Sequence, residues 1–350
     1  MKVNHAIRST LAKTVLSSLL MVPGLLVAQQ IESDTHIVTQ DMMDDWKVTL
    51  SNWGRWGSDD EKGTLNFISP ETRVSAAELV QTGTSVSLER EITPLTIAPG
   101  AEQPQGRIAI IHQMISGPPT RTTGSTDRLT IVPHGYTETH FDALGHHFHD
   151  GKMYNGFDAN EHVSMTAGLS KGSIAVVEEG VFTRGVLIDV PRLKGLPYLE
   201  PGTPIYVEDL EAWEAATGIR IGSGDAVFIR TGRWQREAEL GAWDIANSAA
   251  GLDASVIPWL HEREVALLGS ESALSVVPFP ETTVLTNPDD YLPVHNLALV
   301  TFGMPIIDNA DLDALARTAA SLDRYSFLLT VAPIRVNTAT GATVNPIATF

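Results

Sequence analysis

The sequence predicts an α/β or α+β domain. Short apolar runs bounded by turn or charged residues alternate with stretches of helical periodicity, and some of the runs follow one another directly. The composition agrees: 350 residues with 43 % hydrophobic and 19 % charged side chains exclude a disordered, collagen-like or coiled-coil chain. No internal repeat with a period of roughly 20–50 residues is visible, so a solenoid or propeller is not expected.

Taken in order, Ile108–Ile115 is the first strand candidate, flanked by the loop-like stretches Pro99–Gly106 and Ser116–Ser125. Ser173–Val177, Gly185–Val190, Asp225–Arg230, Glu264–Leu268 and Phe327–Val336 are the further buried strands expected. Two helices fall between them. In Glu208–Thr217, Leu210, Trp213, Ala216 and Thr217 share one face, with Gly218 as a stop; Trp213 is expected in the core. In Asp311–Leu322 the series Leu312, Leu315, Ala316, Ala319 and Leu322 keeps helical spacing, with Asn309 as the expected N-cap.

Residues 1–28 combine a basic start (Lys2, Arg8, Lys13) with the apolar stretch Val15–Val27 and a small residue at Ala28. That pattern predicts a secretory signal peptide, with an uncleaved anchor as the alternative, and hence a secreted or periplasmic protein. Residues 29–52 are expected to be loosely held and residues 53–350 to form a single domain.

Formal charge is −18, from 24 Lys and Arg against 42 Asp and Glu, and removing residues 1–28 would take it to −21. Such a chain repels phosphate backbones and anionic lipid, so neither nucleic acid nor a membrane surface is an expected partner. The absence of cysteine excludes disulfides, thiolate metal sites and a cysteine nucleophile. Any metal must rest on His, Asp or Glu.

Five of the 11 histidines lie within sixteen residues, His134 to His149. In a chain without cysteine this clustering points to a metal bound by imidazole and carboxylate, suited to zinc, manganese or iron(II). In extended chain, residues two apart face one side with Cα atoms ~6.6 Å apart, so His140 and Asp142 can converge on one ion. His134 shares their parity, but a straight strand would put it ~20 Å from His140, so it joins only if the chain bends at Gly135. His146, four residues beyond Asp142, stands where a general base would face water beside the metal. The alternative for His146, His147 and His149 is a histidine-rich surface loop, or a core histidine with two neighbours. Serine chemistry has little support, since Gly269-Ser-Glu-Ser-Ala is not a nucleophile elbow, and no Gly-x-Gly-x-x-Gly or Walker A segment is present.

At these residues the chain resembles the cyclase family of metal-dependent hydrolases, which includes kynurenine formamidases, isatin hydrolases and a trans-dienelactone hydrolase. The signature His-x-Gly-Thr-His-x-Asp-x-Pro-x-His is matched by Thr139, His140, Asp142 and His146. WGRWGSDDEKGTLN over 53–66, DGKMYNG over 150–156, RGVLID over 184–189, GDAVFIRTG over 224–232 and TGATVNP over 340–346 look like a longer branch of that family. The signature's first His falls on Tyr136, its Gly on Glu138 and its Pro on Leu144, so His134 is the replacement ligand candidate.

The resemblance implies a swivelling β/β/α domain, a mixed sheet packed by helices, assembled as a homodimer or homotetramer. Formamidases of the family hold two zincs with a distal His and Glu; here His295 is the distal match but the nearest acid is the shorter Asp308, so one divalent metal, Zn or Mn, is expected on His134, His140 and Asp142, with His146 as base and His295 as an outer or proton-transfer group. Whether His295 instead caps Leu297–Phe302 stays open, as does a second metal, for which Asp308 is the acid candidate. The expected substrate is a small cyclic or aromatic amide, lactam, lactone or ester. Trp53, Trp56, Tyr136, Phe141, Phe148 and Tyr154 are the candidates to line its pocket, core packing being the alternative for each. Two competing expectations are a non-catalytic exported protein that binds a metal or small ligand, which the loss of the first His at Tyr136 favours, and an oxygen-using iron(II) enzyme with the same ligand types.

Overall fold

The computed structural model describes residues 36–99 and 110–350. The compact unit runs over Ile37–Phe350. Its centre is a nine-stranded mixed sheet made of β1 (Ser85–Ser87), β2 (His140–Asp142), β3 (Val181–Asp189), β4 (Ala226–Arg230), β5 (Leu267–Ser270), β6 (Ile306–Asp308), β7 (Ser326–Val331), β8 (Gly341–Thr343) and β9 (Ile347–Thr349). Across the sheet the order is β8-β2-β6-β5-β4-β3-β7-β9-β1. The four central strands, β3 to β6, are parallel, and every other pairing is antiparallel.

The parallel strands read as unbroken apolar runs because both faces are covered: Val186–Ile188, Ala226–Ile229, Leu267–Leu268 and Ile306–Ile307 are all buried. Each large side chain so buried contributes ~1.5–3 kcal/mol. Helix α2 (Val207–Thr217) makes the crossover from β3 to β4. It buries Leu210 and Trp213, and the Trp213 indole donates 2.8 Å to the Leu187 carbonyl. Gly218, at φ +70°, ends it as the sequence predicts. Helices α3 (Arg233–Leu240) and α4 (Ile257–Glu262) lie between β4 and β5, and α5 (Asp313–Leu322) between β6 and β7.

Three expectations give way. The domain begins before Trp53: Val38–Thr39 pairs with Thr283–Val284, and helix α1 (Gln40–Thr49) buries Met43 and ties Gln40 and Lys47 to the buried Asp290. The described part of 29–52 is therefore docked rather than loose. Ser173–Val177 holds a 3-10 turn, Ile174–Val177, rather than a strand. Its apolar run is too short for periodicity to separate the two, and its amides bond within the turn and to the Ala339 carbonyl. Asn309 does not cap α5, which Leu312 precedes; it is buried at φ +56° with its side chain turned elsewhere.

The expected signal peptide, residues 1–28, lies outside the described residues. Among the described residues, no helix is long and apolar enough to cross a membrane.

Candidate metal centre

Strand β2 supplies the floor of the site. It lies between β6 and β8, with His140 opposite Asp308 on one side and Thr343 on the other, and Asp142 opposite Ile306 and Gly341. Alternation along β2 puts His140 and Asp142 on one face and sends Phe141 to the other, where it is fully buried in the core. Directly paired residues share a face, so Asp308 joins His140 and Asp142.

The chain between His134 and His140 does bend back. His134 Nδ1 comes to 2.7 Å from Asp142 Oδ1, and His140 Nε2 to 3.4 Å from the same oxygen. The remaining ring nitrogens are engaged: His134 Nε2 lies 2.8 Å from Thr340 Oγ1, and His140 Nδ1 lies 2.8 Å from the Glu138 carbonyl. A carbonyl can only accept, so His140 carries its proton on Nδ1 and turns the Nε2 lone pair inward.

His134 Nδ1 and Asp142 Oδ1 are both buried without a hydrogen-bond partner, despite their close approach. Two unpaired, mutually facing ligand atoms, each backed by an outer hydrogen bond or strand pairing, are what a metal site requires. His134, His140 and Asp142 therefore fit a divalent ion, each offering one ligand atom within 4.8 Å of the others. A second group, Asp142, His295 and Asp308, meets the same test and shares Asp142. His295 Nε2 sits 3.1 Å from Asp142 Oδ2 and 3.3 Å from Asp308 Oδ2. It comes from the buried turn Pro293–Asn296 and reaches the carboxylates rather than capping Leu297–Phe302. Its Nδ1 has no partner, unlike the second nitrogens of His134 and His140.

Electrostatics follow from this packing. Burial opposes charge on Asp142, but the imidazoles of His146 and His140 around it prevail and hold its carboxyl well below the usual carboxylate range. Burial likewise opposes charge on His295, and the Asp308 and Asp142 carboxylates override it, pushing the imidazole up to about 10. His146 goes the other way: burial pushes it down to about 3 against the pull of Asp142. His147 follows to about 4, by burial and the neighbouring His295.

His146 stacks flat on His134, ring centroids 3.6 Å apart, with its Nε2 4.0 Å from Asp142 Oδ1. It faces the cluster without joining either ligand group.

These groups open on a cavity of about 230 Å³, whose wall is completed by Tyr136, His147, Ala273, Tyr291 and Leu292. Of the six aromatic residues expected to line a pocket, Tyr136 lines this one. Phe141 faces the core for the reason given. Tyr154 is buried with its hydroxyl on Asp60, and Trp53 packs near Gly156 with its indole on the Val300 carbonyl. Trp56 stands edge-on to Phe67, and Phe148 is exposed to solvent. His149 turns to Asp150, whereas His147 comes within 4.6 Å of the His295 ring, a role its place in the histidine run did not single out.

Residues 64–274 match the family model of the cyclases. The chain belongs to the cyclase family. It is similar to the crystal structure of a novel cyclase, at 30 % identity and a TM-score of 0.72, with 86 % of this chain and 99 % of that one covered. Isatin hydrolase A from Ralstonia solanacearum is 19 % identical at a TM-score of 0.52, covering 76 % of this chain and 91 % of its own. Isatin hydrolase A from Labrenzia aggregata, bound to benzyl benzoate, is 18 % identical at 0.52, covering 79 % and 96 %. These two likenesses show the fold. No curated protein sequence matches the chain.

Within this cyclase-family fold the run TGATVNP over 340–346 finds a physical role. Thr340 backs His134, and Gly341 leaves the room that His134 fills: a Cβ there would stand 2.8 Å from His134 Cε1 and 2.4 Å from the Phe141 carbonyl oxygen. Gly341→Ala is expected to push His134 aside and weaken metal binding about tenfold or more, read by competition with a chelating dye. Unchanged affinity would mean that His134 does not hold the ion.

Proposed function

We propose that this protein is a metal-dependent hydrolase of an amide, lactam, lactone or ester bond in a small cyclic or aromatic molecule. The observation that carries the reading is the convergence of His134 Nδ1, His140 Nε2 and Asp142 Oδ1 at the cavity wall, with the outward ring nitrogens already engaged. The fold shared with isatin hydrolases supports it. So does the answer to the missing first histidine: Tyr136 lines the cavity while His134 supplies a nitrogen.

A divalent ion, zinc or manganese, held by these three residues would supply Lewis acidity that polarises a carbonyl and acidifies water. His146 then does the work of a base. It lines the cavity with its Nε2 4.0 Å from Asp142 Oδ1, where it would take a proton from the attacking water while the water oxygen bonds to the carbonyl carbon. As the carbon–nitrogen or carbon–oxygen bond breaks, the departing atom takes a proton from His146 or from His295, which holds one between Asp142 and Asp308. The cavity's modest volume of about 230 Å³ suits a compact ring rather than a polymer.

One ion per chain is our reading, because His295 lacks the outer partner that both His134 and His140 possess. A two-ion reading has its own support in the Asp142, His295 and Asp308 group. Elemental mass spectrometry of purified protein separates them: about one zinc or manganese per chain is expected, and two would bring His295 and Asp308 in as ligands. Export through residues 1–28 and assembly as a homodimer or homotetramer complete the proposal. Mass spectrometry of the mature N-terminus and light scattering test these two points.

Hydrolysis of a panel of lactones, cyclic amides and aryl formamides, with and without a chelator, tests the activity itself. Turnover that chelation abolishes and added metal restores is the expected result. Metal-loaded protein inert towards the whole panel would replace the hydrolase by a binding protein, and activity that depends on oxygen would point to iron(II) chemistry.

A further inference from the structure

The chain from Gly135 to Thr139 joins two ligands of the centre, and its backbone carbonyls would otherwise be free to shift. They are held from below by two side chains that the metal reading does not use. Asn309 donates from Nδ2 to the Gly135 carbonyl at 2.8 Å and to the Glu138 carbonyl at 3.1 Å. Glu138 is also the carbonyl that orients His140. The Asn309 carbonyl accepts from Thr139 Oγ1 at 2.8 Å, so one residue grips this loop at three points. Arg233 takes the carbonyl between them: its Nη2 donates to Tyr136 O, and its Nη1 donates at 2.7 Å to both Asn309 Oδ1 and the Glu271 carbonyl.

The clamp is itself anchored. Glu271 Oε2 accepts from the backbone amides of Thr231, Gly232 and Arg233 at 2.8, 2.6 and 3.2 Å, which pins the start of α3 and so the root of Arg233. The Trp234 ring lies beneath the Arg233 guanidinium, 4.0 Å from Cζ to the ring centre. Arg233 and Asn309 are both buried, and neither lines the catalytic cavity.

We propose that Arg233 and Asn309 are positioning residues for the metal: they hold the His134–His140 loop in the shape that brings both imidazoles onto Asp142. The proposal rests on the metal reading above and adds to it a requirement for residues that touch neither ion nor substrate. Fixing three carbonyls of a five-residue link removes the freedom the ligands would otherwise lose on binding, so the cost of ordering the site is met by the fold.

Asn309→Asp is the decisive variant. Aspartate also tolerates the left-handed conformation of position 309 and keeps an oxygen for Arg233, but it replaces the amide donor by an acceptor facing two carbonyls. Arg233→Lys shortens the clamp and keeps one charge. Thr183→Val serves as control, removing a buried hydrogen bond to the Gly224 carbonyl elsewhere in the sheet. Zinc and cobalt(II) affinities, the visible spectrum of the cobalt protein, and melting temperatures with and without metal would be measured for wild type and all three.

Asn309→Asp and Arg233→Lys are expected to bind metal about tenfold or more weakly, with an altered cobalt spectrum. The rise in melting temperature on adding metal should shrink for both. Thr183→Val should lower the two melting temperatures in parallel and keep affinity and spectrum. If Asn309→Asp behaves like the control, the clamp is merely structural and the proposal is overturned. Wild-type protein that binds no metal would take down the metal reading itself, and this proposal with it.

Discussion

His140→Ala is expected to leave the purified protein without bound zinc or manganese and without hydrolytic activity. The reason is geometric. His140 Nε2 faces Asp142 Oδ1 with its Nδ1 proton already committed to the Glu138 carbonyl, so the ring is an oriented ligand whose loss no neighbour replaces. Outer partners of metal ligands typically cost ~10–100-fold in affinity when removed, and a ligand should cost more. Asp142→Ala should act at least as strongly, since Asp142 belongs to both potential ligand groups and faces four imidazoles. It should also destabilise the fold, because the buried ring nitrogens of His134 and His295 would both lose the carboxylate they face. Elemental mass spectrometry beside wild type reads the first effect and a melting curve the second. Full metal content in His140→Ala would remove the centre from where we place it.

His146→Ala should separate binding from chemistry. His146 faces the cluster but joins neither ligand group, so its removal is expected to keep the metal content near wild type while lowering turnover by roughly 10²–10⁴-fold, the usual range for loss of a general base. The stacked His134 ring loses a neighbour in this variant. His146→Asn, which keeps a polar group there, guards against a loosened ligand being mistaken for a lost base. Full activity in both variants would sink the assignment of His146 as base, and loss of metal in both would make it a supporting group for His134 instead.

Much of the fold could be read from local pattern. Gly185–Val190 and Asp225–Arg230 mark the buried parts of β3 and β4, because a strand covered on both faces is apolar there, whereas Phe327–Val336 overruns β7 by five residues into exposed chain. Trp213 and Gly218 mark the core face and the end of α2 for equally local reasons. Glu264–Leu268 only reaches the start of β5, and Ser173–Val177 is a turn, since apolar character says that a segment is buried but not which backbone conformation it takes.

The candidate site divides in the same way. That His140 and Asp142 share a face is fixed by the two-residue repeat of an extended chain, and it holds whatever surrounds them. His134 joins them through a loop that Asn309 and Arg233 hold from 171 and 97 residues away in sequence. His295 meets Asp142 across 153 residues. Which aromatic rings face the cavity was likewise settled by strand direction and packing: Phe141 sits between two site residues yet points to the opposite side, while Tyr136 is presented by the bent loop. The sequence by itself thus determined the residue types of the candidate centre, the local spacing of its first two candidate ligands and the class of domain that carries them. Only the tertiary structure decided which distant groups complete it, because that depends on where β6, β8 and α3 bring their side chains after the chain has closed long loops, and no local periodicity encodes such a meeting.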